Sequence, residues 1–106
     1  MNSPAKVKLL LIFLDENDTL GELPLYEAIV RYLRQQDIAG ATVSVGIMGF
    51  GGHGKVHRKG LFGIPDDRPV TISVADQAEK IERVLPELHS MVKEGLLLLL
   101  DAQVVT

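Results

Sequence analysis

Residues 7–14 are apolar at every position but Lys8, and an eight-residue run of this kind without helical period predicts a strand buried on both faces. The polar stretch 15–22 reads as a solvated turn. Pro24 then suits the first position of a helix whose Glu27 complements the positive N-terminal end. Leu25, Ile29 and Leu33, with Tyr26 and Val30 beside them, form one stripe at helical spacing, while Glu27, Arg31, Arg34 and Gln35 line the wet side. Gly40 marks the stop. Over 41–48 the period changes to two, with Val43, Val45 and Ile47 on one face and Thr42, Ser44 and Gly46 on the other, which predicts a second strand.

A third, short strand is predicted where Val70, Ile72 and Val74 alternate with Thr71 and Ser73, with Pro69 at its entry. Asp76 and Glu79 have the spacing of an N-cap and its third helical position, and Ile81, Val84, Leu85, Leu88, Met91 and Val92 recur every three or four residues behind them. Pro86 falls inside this second helix and predicts a kink or a displaced start. Gly95 closes the helical region, and the five leucines 96–100 followed by Val104 and Val105 form a last strand.

The order is βαββαβ, an α+β arrangement of the ferredoxin-like kind: a four-stranded antiparallel sheet with both helices on one face. The second face then has no cover within the chain, although the first and last strands are apolar on both sides. Leaving such side chains wet forfeits about 1.5 to 3 kcal/mol each, so association with further copies is the expected cover.

Composition narrows the rest. With 106 residues and 46% hydrophobic content the chain forms one domain, residues 1–106. It has no cysteine, which removes disulfides, thiolate metal sites and thiol nucleophiles and makes the cytoplasm the expected compartment. Residues 7–14 carry no cleavage signature behind them, and neither that run nor the five leucines approach the roughly 20 apolar residues of a membrane span. A net charge of −3 argues against nucleic acid as a partner. Yet Lys55, Arg58 and Lys59 fall between Gly49 and Gly60 with no acid among them, which suits a small anion.

Six of the ten glycines lie between Gly46 and Gly60, where the missing side chains let backbone N–H groups converge on a ligand such as a phosphate. Lys55, His57, Arg58 and Lys59 supply charge-assisted hydrogen bonds beside them. A solvated surface hairpin about 49–68 is the competing reading. Gly49, Gly51 and Gly54 fit the dinucleotide-binding spacing, and Gly49, Gly54 and Lys55 fit most of a P-loop, with Val56 in place of the hydroxyl residue. Both motifs require a helix to start at once, whereas Gly60, Gly63 and Pro65 follow, so neither applies.

His53 and His57, with His89 from elsewhere, are candidate metal ligands, but no carboxylate or cysteine stands near to complete the set. In the acidic turn Asp15, Glu16, Asp18 and Glu22, Leu20 occupies the position where a calcium loop needs glycine. Ser44, Ser73 and Ser90 lack a histidine and carboxylate placed to activate them, so no catalysis is expected.

Residues 24–30, 39–43, Gly49-Phe50-Gly51 and 81–86 together resemble the domain-of-unknown-function family 190, a resemblance that spans residues 6–105. That family looks like a branch of the PII-like proteins, which implies a ferredoxin-like homotrimer binding small effectors, commonly adenine nucleotides such as AMP, ADP or ATP, in clefts between subunits. Signal-transducing PII proteins carry a similar Gly-Phe-Gly at the end of the second strand. Carried over, it implies ligand contacts from Gly49, Phe50, Gly51, Gly52, His53, Lys55, His57 and Arg58. Gly52 and His53 replace the polar and basic residues usual there, and Lys93-Glu94-Gly95 is all that remains of a Gly-x-Gly-Lys loop. The loop has no tyrosine to modify.

The expected function is therefore non-catalytic sensing of an adenine nucleotide without a required cofactor, signalled through the loop to a protein partner. A trimeric divalent-metal-tolerance protein using His53 and His57, or a structural adaptor, are the alternatives.

Overall fold

A computed structural model describes residues 5–50 and 68–106. Strand β1 (Ala5–Asp15) is followed by a two-residue hairpin, β2 (Thr19–Leu20) and β3 (Leu23–Pro24), and by helix α1 (Leu25–Gln35). Strands β4 (Ala41–Val45) and β5 (Pro69–Asp76), helix α2 (Ala78–Met91) and strand β6 (Leu96–Val104) complete the order. The larger sheet runs β4-β5-β1-β6, with every neighbouring pair antiparallel. This is the predicted α+β, ferredoxin-like βαββαβ arrangement, with the small hairpin added where a plain turn was expected.

One core holds the described elements together. Leu10, Ile12 and Leu14 of β1 and Val70, Ile72 and Val74 of β5 point to the same side of the sheet and are buried there by Leu25, Ile29 and Leu33 of α1 and Ile81, Val84 and Leu88 of α2. The spacings of two in the strands and of three and four in the helices produce this match. Among the described residues no polar or charged one is buried with them.

Several expectations need correction. Strand β1 is fully buried only on its helix side: Leu9, Leu11 and Phe13 on the other face stay partly accessible, because none of the described residues covers them. Strand β4 stops at Val45 rather than at residue 48, since the chain bends away once the Gly46 N–H has bonded the Pro69 carbonyl at 2.7 Å. Pro24 is the cap residue of α1 and not its first helical residue.

The N-cap of α2 is Gln77, without a side-chain cap bond; Asp76 is instead the last residue of β5. Pro86 lies inside α2 and is exposed, so the start of the helix is not displaced to it. Helix α2 ends at Met91 with Val92 as its cap residue, before the expected stop at Gly95; Gly95 instead leads into β6, with φ +154 and so little room that an added Cβ would stand 2.5 Å from the Phe13 carbonyl oxygen.

Asp76 has a different task from capping. Its carboxylate accepts from the Ala39 N–H at 2.9 Å and from the Gln77 N–H at 2.7 Å, and pairs with Lys80. Lys80 also donates to the Asp37 carbonyl at 2.9 Å, and Arg83 to the Gln36 carbonyl at 3.3 Å, so two cations meet the negative C-terminal end of α1. Asp37 completes this joint in the left-handed region, φ 60, which Asp tolerates better than most residues.

Burial alone would raise the Asp76 carboxyl, but the two amide bonds and Lys80 outweigh it and hold its pKa below the usual carboxylate value. A depressed folded-state pKa contributes stability above the unfolded pKa and loses it as pH falls through the folded one. Asp76→Asn should therefore lower stability near neutral pH by on the order of 1 kcal/mol and flatten the fall of stability below about pH 4. Urea unfolding at pH 7 and pH 3 checks this.

Candidate functional site

The register places four chain segments at one end of the sheet. Asp15 stands opposite Pro69, Val45 opposite Val70 and Phe13 opposite Leu96. The glycine-rich connection between β4 and β5 therefore leaves and re-enters beside the end of β1 and the start of β6.

Its two described stems are fastened on both sides. On one side the Gly46 N–H donates to the Pro69 carbonyl. Here the backbone passes so close to the proline ring that a Cβ on Gly46 would stand 2.8 Å, and one on Gly49 3.0 Å, from Pro69 Cγ. On the other side the Glu16 N–H donates to the Arg68 carbonyl at 2.9 Å, and the Arg68 guanidinium grips the Glu16 carboxylate through Nε at 3.2 Å and an Nη at 3.0 Å. That forked geometry positions more precisely than a single contact would. The Glu16 hydrogen bond, helped by its charge, raises the Arg68 pKa above its ordinary value.

The acidic turn is thus a built element and not merely solvated. Asp18 accepts the Asp15 N–H on Oδ2 at 3.0 Å and returns its own N–H to the Asp15 carbonyl at 3.1 Å, while its carbonyl receives the Leu25 N–H at 2.7 Å. The turn fixes Glu16 for Arg68 and the first residue of α1 together. In the sequence Glu16 stood out only as part of the acidic turn, and Arg68 did not stand out at all. They are 52 positions apart, and no local pattern announces the pairing.

Of the residues the sequence assigns to ligand, Gly49 and Phe50 lie among those described, and both are exposed at the stem. Gly51, Gly52, His53, Lys55, His57 and Arg58 lie outside the described residues. Beyond β4 the chain presents Ile47 at 91%, Met48 at 82% and Phe50 at 93% exposure, an apolar group that no other described residue shields. His89 is exposed on α2. Among the described residues no group of three or more histidines, aspartates and glutamates is arranged to hold a metal ion. No described helix is long and apolar enough to cross a membrane.

The sheet face away from the helices divides in two. Its β1–β6 half carries Leu9, Leu11 and Phe13 opposite Leu100, Leu98 and Leu96, and its β5–β4 half carries Thr71 and Ser73 opposite Ser44 and Thr42. At the far end of the sheet Lys6, Lys8, Asp101 and Gln103 line a shallow groove beside Ala78. The Lys8 ammonium there is already paired with Asp101; their hydrogen bond raises the Lys8 pKa and lowers that of Asp101.

The contact with Pro69 gives Gly46 a packing role that can be measured. Gly46→Ala should lower the melting temperature by several degrees, whereas Gly40→Ala, with nothing within 4 Å of the new Cβ, should be neutral or gain about 0.4 to 1 kcal/mol. Differential scanning calorimetry of the two variants distinguishes a close backbone approach from a generally tolerant loop.

Known proteins match this chain along nearly its whole length. The chain is 41% identical over 101 residues to a UPF0166 protein of Methanocaldococcus jannaschii, covering 93% of this chain and 92% of that one. It is 32% identical over 100 residues to a UPF0166 protein of Aquifex aeolicus, covering 94% of each. The profile of the DUF190 family, described as "Uncharacterized ACR", matches residues 7–104, every core strand and both helices included. The chain belongs to the DUF190 family.

Proposed function

We propose that this protein is a non-catalytic, PII-like sensor of a small anionic ligand. Three copies assemble through the open sheet face, and an adenine nucleotide sits in the cleft between subunits where β4 runs into the glycine-rich connection. The observation that carries the reading is the fastened stem at Gly46, Gly49, Arg68 and Pro69, which stands at the same end of the sheet as the apolar pair Phe13 and Leu96 of the open face.

Backbone N–H groups of Gly49, Gly51 and Gly52 are the donors of this site, since glycine leaves them approachable. Lys55 or Arg58 meets phosphate, which an acidic chain elsewhere repels. Signalling follows if ligand orders the connection and so changes its contact with a partner protein. The likeness to PII-like proteins in Gly49-Phe50-Gly51 supports nucleotide as the ligand class.

Isothermal titration with AMP, ADP and ATP tests the ligand. Gly51→Val should eliminate binding and leave the assembly intact, whereas Lys55→Ala should weaken binding by about 1.5 to 3 kcal/mol, the worth of a hydrogen bond to a charged group. No binding at millimolar nucleotide would refute the site, and thermal stabilisation by a divalent metal alone would favour the reading through His53 and His57.

Sedimentation tests the assembly: a trimer is expected at micromolar concentration. Leu98→Lys, which places a charge on the open face at a position only 41% exposed in the single chain, should give a folded monomer with impaired nucleotide binding.

A further inference from the structure

Arg68 stands between two places that can hold its charge. In the register Pro69 faces Asp15 of β1 on one side, and on the other its carbonyl takes the N–H of Gly46, just past the end of β4. Arg68, one residue earlier, therefore has the acidic turn one strand spacing away and the glycine stem one strand spacing away in the opposite direction. Each spacing is about 4.8 Å, within the reach of an arginine side chain. The guanidinium is turned to the acidic side, where it forks onto the Glu16 carboxylate.

The geometry points to Arg68 as a phosphate-binding residue that Glu16 holds in reserve: the terminal phosphate of a ligand at the glycine stem takes the Arg68 fork in exchange for the Glu16 carboxylate. This rests on the nucleotide reading above and adds to it the residue that selects the charged end of the ligand. The first argument is chemical. A planar fork of N–H donors fits two oxygens of a carboxylate and two of a phosphate alike, so both compete for one geometry.

Exposure supplies the second argument. The Arg68 side chain is 50% exposed and that of Glu16 29%, and an ion pair this open to water contributes little to stability, so parting it costs the fold little. The third argument is mechanical. Both neighbours are fastened to this segment through the backbone, by the Glu16 N–H on the Arg68 carbonyl at 2.9 Å and the Gly46 N–H on the Pro69 carbonyl at 2.7 Å. Neither bond involves the guanidinium. Arg68 therefore changes partner by side-chain rotation alone, while the bonds between Asp15, Asp18 and Leu25 keep the turn in shape.

Charge sets the specificity. Asp15, Glu16 and Asp18 share the turn beside the fork, so an incoming anion has to offer Arg68 more than a carboxylate does. A terminal phosphate carries about −1.5 to −2 charges and three acceptor oxygens, which meets that demand. A phosphodiester has a single charge and a nucleoside none. The site accordingly prefers AMP to cyclic AMP and to adenosine.

Titration calorimetry of wild type, Glu16→Gln, Arg68→Ala and the double variant with AMP, cyclic AMP and adenosine tests the exchange, with circular dichroism to verify that each variant is folded. Arg68→Ala should weaken AMP binding roughly tenfold, the loss of one charged hydrogen-bonding group, and leave adenosine unchanged. Glu16→Gln should tighten AMP binding severalfold, because the competing carboxylate is gone. In the Arg68→Ala background the same Glu16→Gln change should gain nothing, since there is no fork left to release.

A gain that persists without Arg68 would reflect only the loss of a nearby negative charge and would overturn the exchange. AMP binding unaffected by Arg68→Ala, or no tighter in Glu16→Gln than in wild type, would overturn it too. In each of these cases wild type still binds and the nucleotide reading stands. If neither wild type nor Glu16→Gln binds AMP at millimolar concentration, both fall.

Discussion

A four-stranded sheet has two faces, and the described helices cover one. Much else follows from that imbalance. Leu10, Ile12, Leu14, Val70, Ile72 and Val74 form a dry layer under α1 and α2, but Leu9, Leu11 and Phe13 of β1 and Leu96, Leu98 and Leu100 of β6 lie on the other face, and on the helix side of β6 Leu97 packs against the core while Leu99 stays exposed. Exposed apolar surface costs about 25 cal/mol per Å² relative to burial, so a row of half-exposed leucines is a strong drive toward association. The order β4-β5-β1-β6 sharpens the constraint, because it puts the most apolar strand at an edge.

The glycine-rich end of the sheet is built on the same frame. Gly46 and Gly49 pass over Pro69 too closely for side chains, and Glu16 grips Arg68 on the opposite side, so the stems are held although their ends point away from the core. In the proposed reading these stems carry the ligand site, at one end of the face that further copies cover.

Much of the fold was legible from periodicity. The spacing of two in Val70-Thr71-Ile72-Ser73-Val74 and the stripes through Leu25, Ile29 and Leu33 and through Ile81, Val84 and Leu88 each reports a face in contact with the core. Near-continuous apolar runs were less informative. In residues 7–14 and 96–100 pattern alone suggested burial on both faces, but it cannot distinguish cover supplied by the chain from cover supplied by another molecule, nor a central strand from an edge. The shift at the start of α2 has a similar origin: Asp76 and Glu79 have cap spacing, yet Asp76 is drawn to the Ala39 N–H across the fold. Likewise Glu16 and Arg68 meet through the pairing of β1 with β5, which no window along the sequence contains. Gly49 and Phe50 were identified through resemblance, and the packing of Gly49 against Pro69 became visible only in three dimensions.

The central claim, that further copies cover what the helices leave open, out to both sheet edges, is tested most directly by amide hydrogen exchange along β4 and β6 in the protein at micromolar concentration. Residues 96–100 and 41–45 should exchange about as slowly as β1, which has a strand on each side. Fast exchange of alternate amides along β6, the behaviour of a ladder bonded on one side only, would contradict the account.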